Sequence, residues 1–71
     1  MENVTKEQAR AFWRDLRGSF GYEPDGNDTH GVVTAKHVAE KLGIPEEKAN
    51  AYLWACVKYE FSDRASGRFV I

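Results

Sequence analysis

Apolar residues recur at helical spacing in three stretches of the chain. The first stretch opens at Thr5, where T-K-E-Q has the form of a capping box: Thr5 and Gln8 can each bond a backbone N–H of the other's turn. Beyond it, the apolar side chains fall on one face and the charged ones on the rest of the surface. The apolar set is Ala9, Phe12, Trp13 and Leu16, and the charged set is Lys6, Glu7, Arg10, Arg14, Asp15 and Arg17. This pattern predicts a first helix that ends near Gly18.

Two further helices follow in the second half of the chain. In residues 34–42 apolar positions are again three and four apart, Thr34 can cap the first turn, and Gly43 tolerates the left-handed conformation that ends many helices. Pro45 suits the start of the next helix, because the N–H that proline lacks has no partner there. The apolar stripe of that helix is Ala49, Tyr52, Leu53, Cys56 and Val57. A tight turn therefore separates the second and third helices.

The period of the pattern changes after the third helix. Residues 59–62 and 68–71 have the alternation and residue types of short strands, and residues 63–67 form a turn-rich loop between them. A β-hairpin over residues 59–71 is predicted. A β-branched pair at residues 32–33 predicts one more short strand ahead of the second helix.

The connection between the first and second helices is unusually long. Residues 18–31 are dense in turn-forming types and have no sustained period. Connections of this length are either ordered by their own side chains or mobile and functional. Phe20 and Tyr22 are the side chains that would fold back on the core in the first case.

The order of these elements resembles that of winged helix-turn-helix domains. The resemblance covers residues 32–71 and depends on spacing, without a catalytic signature. It is carried by Ala39, Leu42, Gly43, Ile44, Leu53 and the terminal hairpin. It implies an α+β fold, mainly α, in which residues 1–71 form one winged-helix domain, with the helix-turn-helix at 32–58 and the hairpin wing at 59–71. The competing fold is a three-helix bundle with a disordered tail.

Composition fits one small domain. A chain of 71 residues that is 42% hydrophobic has enough apolar side chains to form one hydrophobic core. Its predicted members are Phe12, Trp13, Leu16, Val38, Leu42, Leu53, Val57, Phe61 and Phe69. A single cysteine cannot form an intramolecular disulfide. The first residues contain no basic region followed by an apolar run, and no apolar run approaches the roughly 18 residues of a membrane span. We therefore expect no secretory signal and a cytoplasmic protein without membrane contact.

The candidates for catalytic or metal chemistry are weak. An EF-hand loop that began at Asp25 would have His30 in place of its glycine and Lys36 in place of its bidentate glutamate. His30 and His37 alone do not complete a metal site. Cys56 lies on an apolar stripe, where burial suppresses thiol reactivity. We therefore expect no enzyme activity, no metal and no cofactor.

Binding is the function class that remains, and DNA is the first predicted partner. The resemblance implies that the third helix reads DNA and that the wing assists, as in a small transcriptional regulator that binds paired half-sites as a homodimer. The predicted contacts are Lys48 and Asn50 on the third helix, Arg64 and Arg68 on the wing, and Lys36 and Lys41 at the DNA backbone. The net charge of −1 and the Glu46-Glu47 pair oppose this hypothesis, since both repel phosphates.

The alternative is a protein-interaction module that does not bind DNA. Its predicted interface is Glu47, Ala51 and Trp54, which would dock a larger partner. Trp54 falls just off the apolar stripe of the third helix, and an exposed tryptophan beside small residues is typical of an interface anchor. If Trp54 instead packs under the wing against Phe61 or Phe69, it belongs to the core. The sequence leaves both arrangements open.

Overall fold

The computed structural model describes residues 3–24 and 31–71, which form three helices and three short strands. The elements are α1 (Lys6–Ser19), β1 (Val32–Val33), α2 (Ala35–Leu42), α3 (Glu46–Lys58), β2 (Asp63–Ala65) and β3 (Arg68–Val70). This is the predicted α+β, mainly helical, winged-helix arrangement, and the alternative of a bundle with a disordered tail is wrong. Within the described residues, no helix is long and apolar enough to cross a membrane.

The predicted signals at the helix ends are confirmed. The Gln8 N–H donates to the Thr5 hydroxyl at 3.1 Å and the Thr5 N–H donates to the Gln8 side chain at 2.9 Å, which completes the capping box of α1. The Thr34 hydroxyl accepts a backbone N–H in the first turn of α2, and Gly43 ends that helix at φ 68°. Helix α1 ends at Ser19, one residue beyond its predicted end.

The three strands form one antiparallel sheet in the order β1-β3-β2. The predicted short strand at residues 32–33 is confirmed, and it pairs with the wing, because Val33 of β1 lies opposite Phe69 of β3. On the other side of β3, Arg64 of β2 lies opposite the same Phe69. The last strand along the chain is therefore the middle strand of the sheet.

The predicted first strand of the wing, residues 59–62, is wrong. The chain there wraps around the end of α3, where the N–H groups of Phe61 and Ser62 both donate to the Cys56 carbonyl at 2.8 and 3.2 Å. Glu60 adopts a left-handed φ of 66° in this turn. The last carbonyls of a helix have no partner within the helix. Here the Cys56 carbonyl accepts hydrogen bonds from two amides that would otherwise pair with a neighbouring strand.

The hairpin begins later and has a tighter loop than the predicted residues 63–67. Only Ser66 and Gly67 lie between the two strands, with φ values of 51° and 77°. Positive φ at both central residues is the requirement of the type I′ turn, whose twist suits a two-residue hairpin. The wing is thus short and its register is fixed by the turn.

The core lies between the helices and the inner face of the sheet. Four of its nine predicted members are buried, namely Leu16, Val38, Leu53 and Phe69. The other five are half-buried and pack against the buried residues, namely Phe12, Trp13, Leu42, Val57 and Phe61. Val33 of β1 and Ile71, which follows β3, are also buried there, and a second cluster of Ala9, Ala55 and Cys56 joins α1 to α3.

Arg17 departs from the surface position predicted for it, because it is fully buried. Its Nε donates to the Glu23 carbonyl at 2.7 Å, and its Nη1 donates to the Ile71 carbonyl. The guanidinium carbon lies 5.4 Å from the ring centroids of both Trp13 and Tyr22. Backbone acceptors and aromatic rings thus replace the water that a buried guanidinium loses.

The start of the long connection is ordered by its aromatic side chains, as one of the two alternatives predicted. Phe20 and Tyr22 pack against the core. A Cβ at Gly31 would lie 2.6 Å from the Tyr22 ring, so the buried residue 31 is confined to glycine while the ring holds this position. The calcium-loop and His30 predictions fall within residues 25–30, outside the described part of the chain.

Candidate functional site

Helix α3 presents one side to the core and the other to solvent. Ala49, Leu53 and Cys56 are fully buried. At about 3.6 residues per turn, a different set of side chains lies on the side away from the core. This outer face of α3 consists of Glu47, Asn50, Ala51, Trp54 and Lys58. It includes all three residues of the predicted protein interface and one of the predicted DNA contacts.

The wing touches the outer face of α3 through Arg64 and Phe69. The guanidinium carbon of Arg64 lies over the Trp54 ring, 4.3 Å from its centroid, and 5.3 Å from the centroid of the Phe69 ring. Trp54 and Phe69 meet edge to face, with centroids 5.6 Å apart and planes at 88°. Such contacts are attractive because the positive edge or cation meets the negative face of a ring. The helix and the wing therefore form one continuous surface.

Both sequence-based alternatives for Trp54 are met in part. Its ring packs on Phe69, as in the core alternative, yet 43% of the residue is exposed, as in the interface alternative. Phe61 is not its partner, because Phe61 stacks on Trp13 at 5.7 Å between centroids. An exposed large aromatic residue held by a buried one is a rigid surface feature.

The two wing arginines lie on different faces of the hairpin. Arg64 is paired with Phe69, whereas Arg68 is paired with Ala65. Residues directly opposite each other share a face of the sheet, and successive residues alternate between faces. Arg64 therefore projects with Phe69 toward α3, and Arg68 projects from the other face. Both are exposed.

The three predicted lysine contacts are spread over the molecule. Lys48 is only two residues from Asn50, so it stands on another side of α3, with its Nζ 5.8 Å from the centroid of the Tyr52 ring. The Nζ of Lys41 lies 5.7 Å from the Phe20 ring centroid, beyond the end of α1. Lys36 is exposed in the first turn of α2. The structure brings Asn50 and Arg64 to one surface and leaves Lys48 beside it.

An open groove of about 470 Å³ runs between α3 and the residues that precede α1. Its lining residues come from both segments: Asn3, Val4 and Thr5 on one side, and Ala51, Trp54, Ala55, Lys58 and Tyr59 on the other. Ala51 and Trp54 of the predicted protein interface border it. The predicted set omitted Lys58, although it lies one helical turn beyond Trp54 on the same face.

Within the described residues, Cys56 and His37 each have a partner in the fold. Burial raises the pKa of the Cys56 thiol to about 12, so the thiol stays protonated at neutral pH, and it donates to the Ala9 carbonyl at 3.4 Å. The prediction that Cys56 fills the core is confirmed. The edge of the His37 ring meets Phe20, with centroids 5.1 Å apart. Over residues 3–24 and 31–71, no group of three or more His, Cys, Asp or Glu side chains is placed to hold a metal.

No protein-family model, curated protein or solved structure matches the chain significantly. The resemblance to winged helix-turn-helix domains is therefore one of element order and sheet topology. A shared fold by itself does not transfer a function. The surface formed by α3 and the wing is therefore the feature from which a function can be inferred.

Proposed function

We propose that this chain is a small winged-helix protein that binds duplex DNA through α3 and the wing, as a regulator of transcription. The observation that carries the proposal is the contact of Arg64 with Trp54, which joins the wing to the outer face of α3. Helix-turn-helix proteins place their second helix in the major groove, and adjoining segments contact the backbone. A continuous surface of helix and wing suits that division of roles.

Each predicted contact has a distinct task in this proposal. Asn50 is exposed on the outer face of α3, and asparagine can bond adenine with two hydrogen bonds in the major groove. Arg64 and Arg68 neutralise phosphates on either face of the wing, and Lys36 and Lys41 add backbone contacts from α2. Lys48, beside the surface, contributes charge alone. Binding of two copies to paired half-sites would supply affinity that one such domain lacks.

Removing both wing arginines is expected to weaken DNA binding by tenfold or more. Arg64→Ala with Arg68→Ala takes away two phosphate contacts, so the slope of log affinity against log salt should fall by about 2. The measurement is a fluorescence-anisotropy titration against a labelled generic duplex at low and at moderate salt.

The matched control for this variant is Lys6→Ala with Arg10→Ala, which removes the same charge from exposed positions on α1. It should change affinity far less than the wing variant. If both variants lose DNA affinity equally, the loss is due to net charge and not to the wing. If the wing variant keeps its affinity, the proposal is contradicted. If the wild-type chain does not bind at low salt, DNA is not its partner.

The groove favours a second function, docking of a protein partner. Trp54 and Ala51 border a cleft that is large enough for an apolar side chain, and Lys58 stands beside them. Interfaces commonly depend on one exposed aromatic anchor that is surrounded by weaker contacts. The partner is a larger protein or a second copy of this chain.

Ala51→Gln is expected to abolish docking of a partner in the groove. Glutamine is neutral and favours helix, so it fills the groove without a change in charge or helix stability. The readouts are the sedimentation coefficient of the purified chain and the recovery of a partner from an extract of its own cells. Ala11→Gln, the same change at an exposed position of α1 outside the groove lining, is the control and should leave docking intact. Docking that survives both Ala51→Gln and Trp54→Ala would exclude the groove.

A further inference from the structure

We infer that Trp54 is a positioning residue, which holds the guanidinium of Arg64 so that its N–H edge meets a phosphate of duplex DNA. This inference rests on the proposed function and adds a role for a residue outside the predicted DNA contacts. It follows from the contacts at the junction of α3 and the wing, where a stack of Arg64 over the Trp54 ring meets Phe69 edge to face.

The stack is anchored in the core. Phe69 is only 3% exposed and lies in the middle strand of the sheet, so its ring has a fixed place. The edge-to-face contact at 5.6 Å transmits that position to Trp54. Arg64 then lies over the Trp54 ring at 4.3 Å. The exposed arginine is therefore oriented by a chain of contacts that begins at a buried side chain.

Stacking leaves the useful donors of the guanidinium free. The group is planar and its five N–H bonds lie in that plane, so a ring against its face does not block the bidentate edge that fits a phosphate. A free arginine on the surface loses much rotamer freedom when it binds. An arginine that a ring already holds loses less rotamer freedom on binding, and the smaller entropy cost increases the affinity for DNA.

Arg68 supplies the internal comparison. It lies on the neighbouring strand of the same hairpin and is exposed like Arg64, but it projects from the opposite face and is paired with Ala65. A residue that only shaped the wing would affect both arginines. A residue that positions Arg64 alone would affect only one of them.

The experiment is a pair of double-mutant cycles measured by anisotropy titration on a generic duplex. Trp54→Leu keeps an apolar side chain and removes the aromatic face, whereas Trp54→Tyr keeps an aromatic face. We expect Trp54→Leu to weaken binding about fivefold and Trp54→Tyr less than about twofold. In the Arg64→Ala background Trp54→Leu should have almost no further effect. In the Arg68→Ala background it should keep its full effect, and thermal unfolding of each variant establishes that it is folded at the titration temperature.

Each other outcome overturns the inference in a distinguishable way. If Trp54→Leu weakens binding equally with and without Arg64, then Trp54 acts on DNA by itself. If Trp54→Leu couples equally to Arg64 and Arg68, its role is to support the whole wing. If Trp54→Leu leaves the affinity unchanged, the stack has no part in binding. A wild-type chain that does not bind DNA overturns the proposed function together with this role, whereas the first three outcomes leave the proposed function standing.

Discussion

Replacement of Arg17 by alanine is expected to lower the free energy of unfolding by about 3–5 kcal/mol. The side chain is fully buried and donates to the carbonyls of Glu23 and Ile71. Its removal leaves both carbonyls without this donor and leaves a cavity between Trp13 and Tyr22. Alanine makes no contact that would compensate for these losses. A chain of this length has a total stability of only about 4–10 kcal/mol. The variant should be barely folded at room temperature.

Two further variants test whether the guanidinium itself is responsible. Arg17→Lys keeps the charge but lacks the planar fork that serves two carbonyls and two rings, so it should lose most of the same stability. Arg10→Ala, on the exposed side of the same helix, should change stability by less than about 0.5 kcal/mol. Urea denaturation followed by circular dichroism gives all three values. A loss below about 1 kcal/mol in Arg17→Ala would show that the buried arginine is replaceable.

Phe69→Ala is expected to cost about 3–5 kcal/mol and to release the wing from α3. The ring is buried in the core, and its residue is the partner of both Val33 and Arg64 in the sheet. The same ring supports Trp54. Truncation therefore opens a cavity where the core, the sheet and the outer face of α3 meet.

The controls for Phe69→Ala lie at the same strand. Phe69→Leu retains most of the volume and should cost about 1.5 kcal/mol or less. Val70→Ala changes a neighbouring half-buried residue that is likewise paired on both sides, with Val32 and Asp63, and it should cost less than the Phe69 truncation. Thermal unfolding monitored by circular dichroism, with the fluorescence of Trp54 in a Trp13→Phe background because the chain has two tryptophans, separates global loss of stability from release of the wing. Equal costs for Phe69→Ala and Val70→Ala would contradict the central role of the ring.

The elements that were predicted correctly depend on residues close together in sequence. Thr5 and Gln8 are three residues apart, and a capping box needs no information beyond them. Gly43 marks the end of α2 for an equally local reason, since it accepts a positive φ. The prediction of a strand at residues 59–62 is wrong because the alternation of apolar and polar residues does not show which acceptors compete for the backbone amides. Two of these amides donate to the carbonyl of Cys56 at the end of α3 and not to a neighbouring strand.

The surface position predicted for Arg17 is wrong because helical spacing and charge lead to opposite predictions for this residue. It stands one turn beyond Trp13 on the apolar stripe, so spacing alone favours burial. Its charge favours solvent, since a buried charge needs partners. Those partners include the carbonyls of Glu23 and Ile71, and the second is far away in sequence. Only the folded chain shows that they converge.

The candidate site was partly within reach of the sequence. The apolar stripe of α3 also defines its outer face, so the exposure of Asn50 and Glu47 follows from spacing. The stack of Arg64 on Trp54 does not follow, because the predicted loop over residues 63–67 included Arg64. The two-residue turn returns that arginine to a strand and sets it opposite Phe69. With the two-residue turn Arg64 lies in a strand and contacts Trp54, whereas the predicted five-residue loop would have left Arg64 outside the sheet.

The place of β3 in the sheet also sets an order of events. The contacts between α2 and α3 join neighbouring segments, whereas β1 and β2 are connected in the sheet through the strand that comes after both of them in the chain. Closing the loop from β1 to β3 costs entropy that the pairing of α2 with α3 does not incur. Helices α2 and α3 can therefore pair early, while the sheet, and with it the surface around Arg64, is assembled in one late step when β3 inserts between its neighbours.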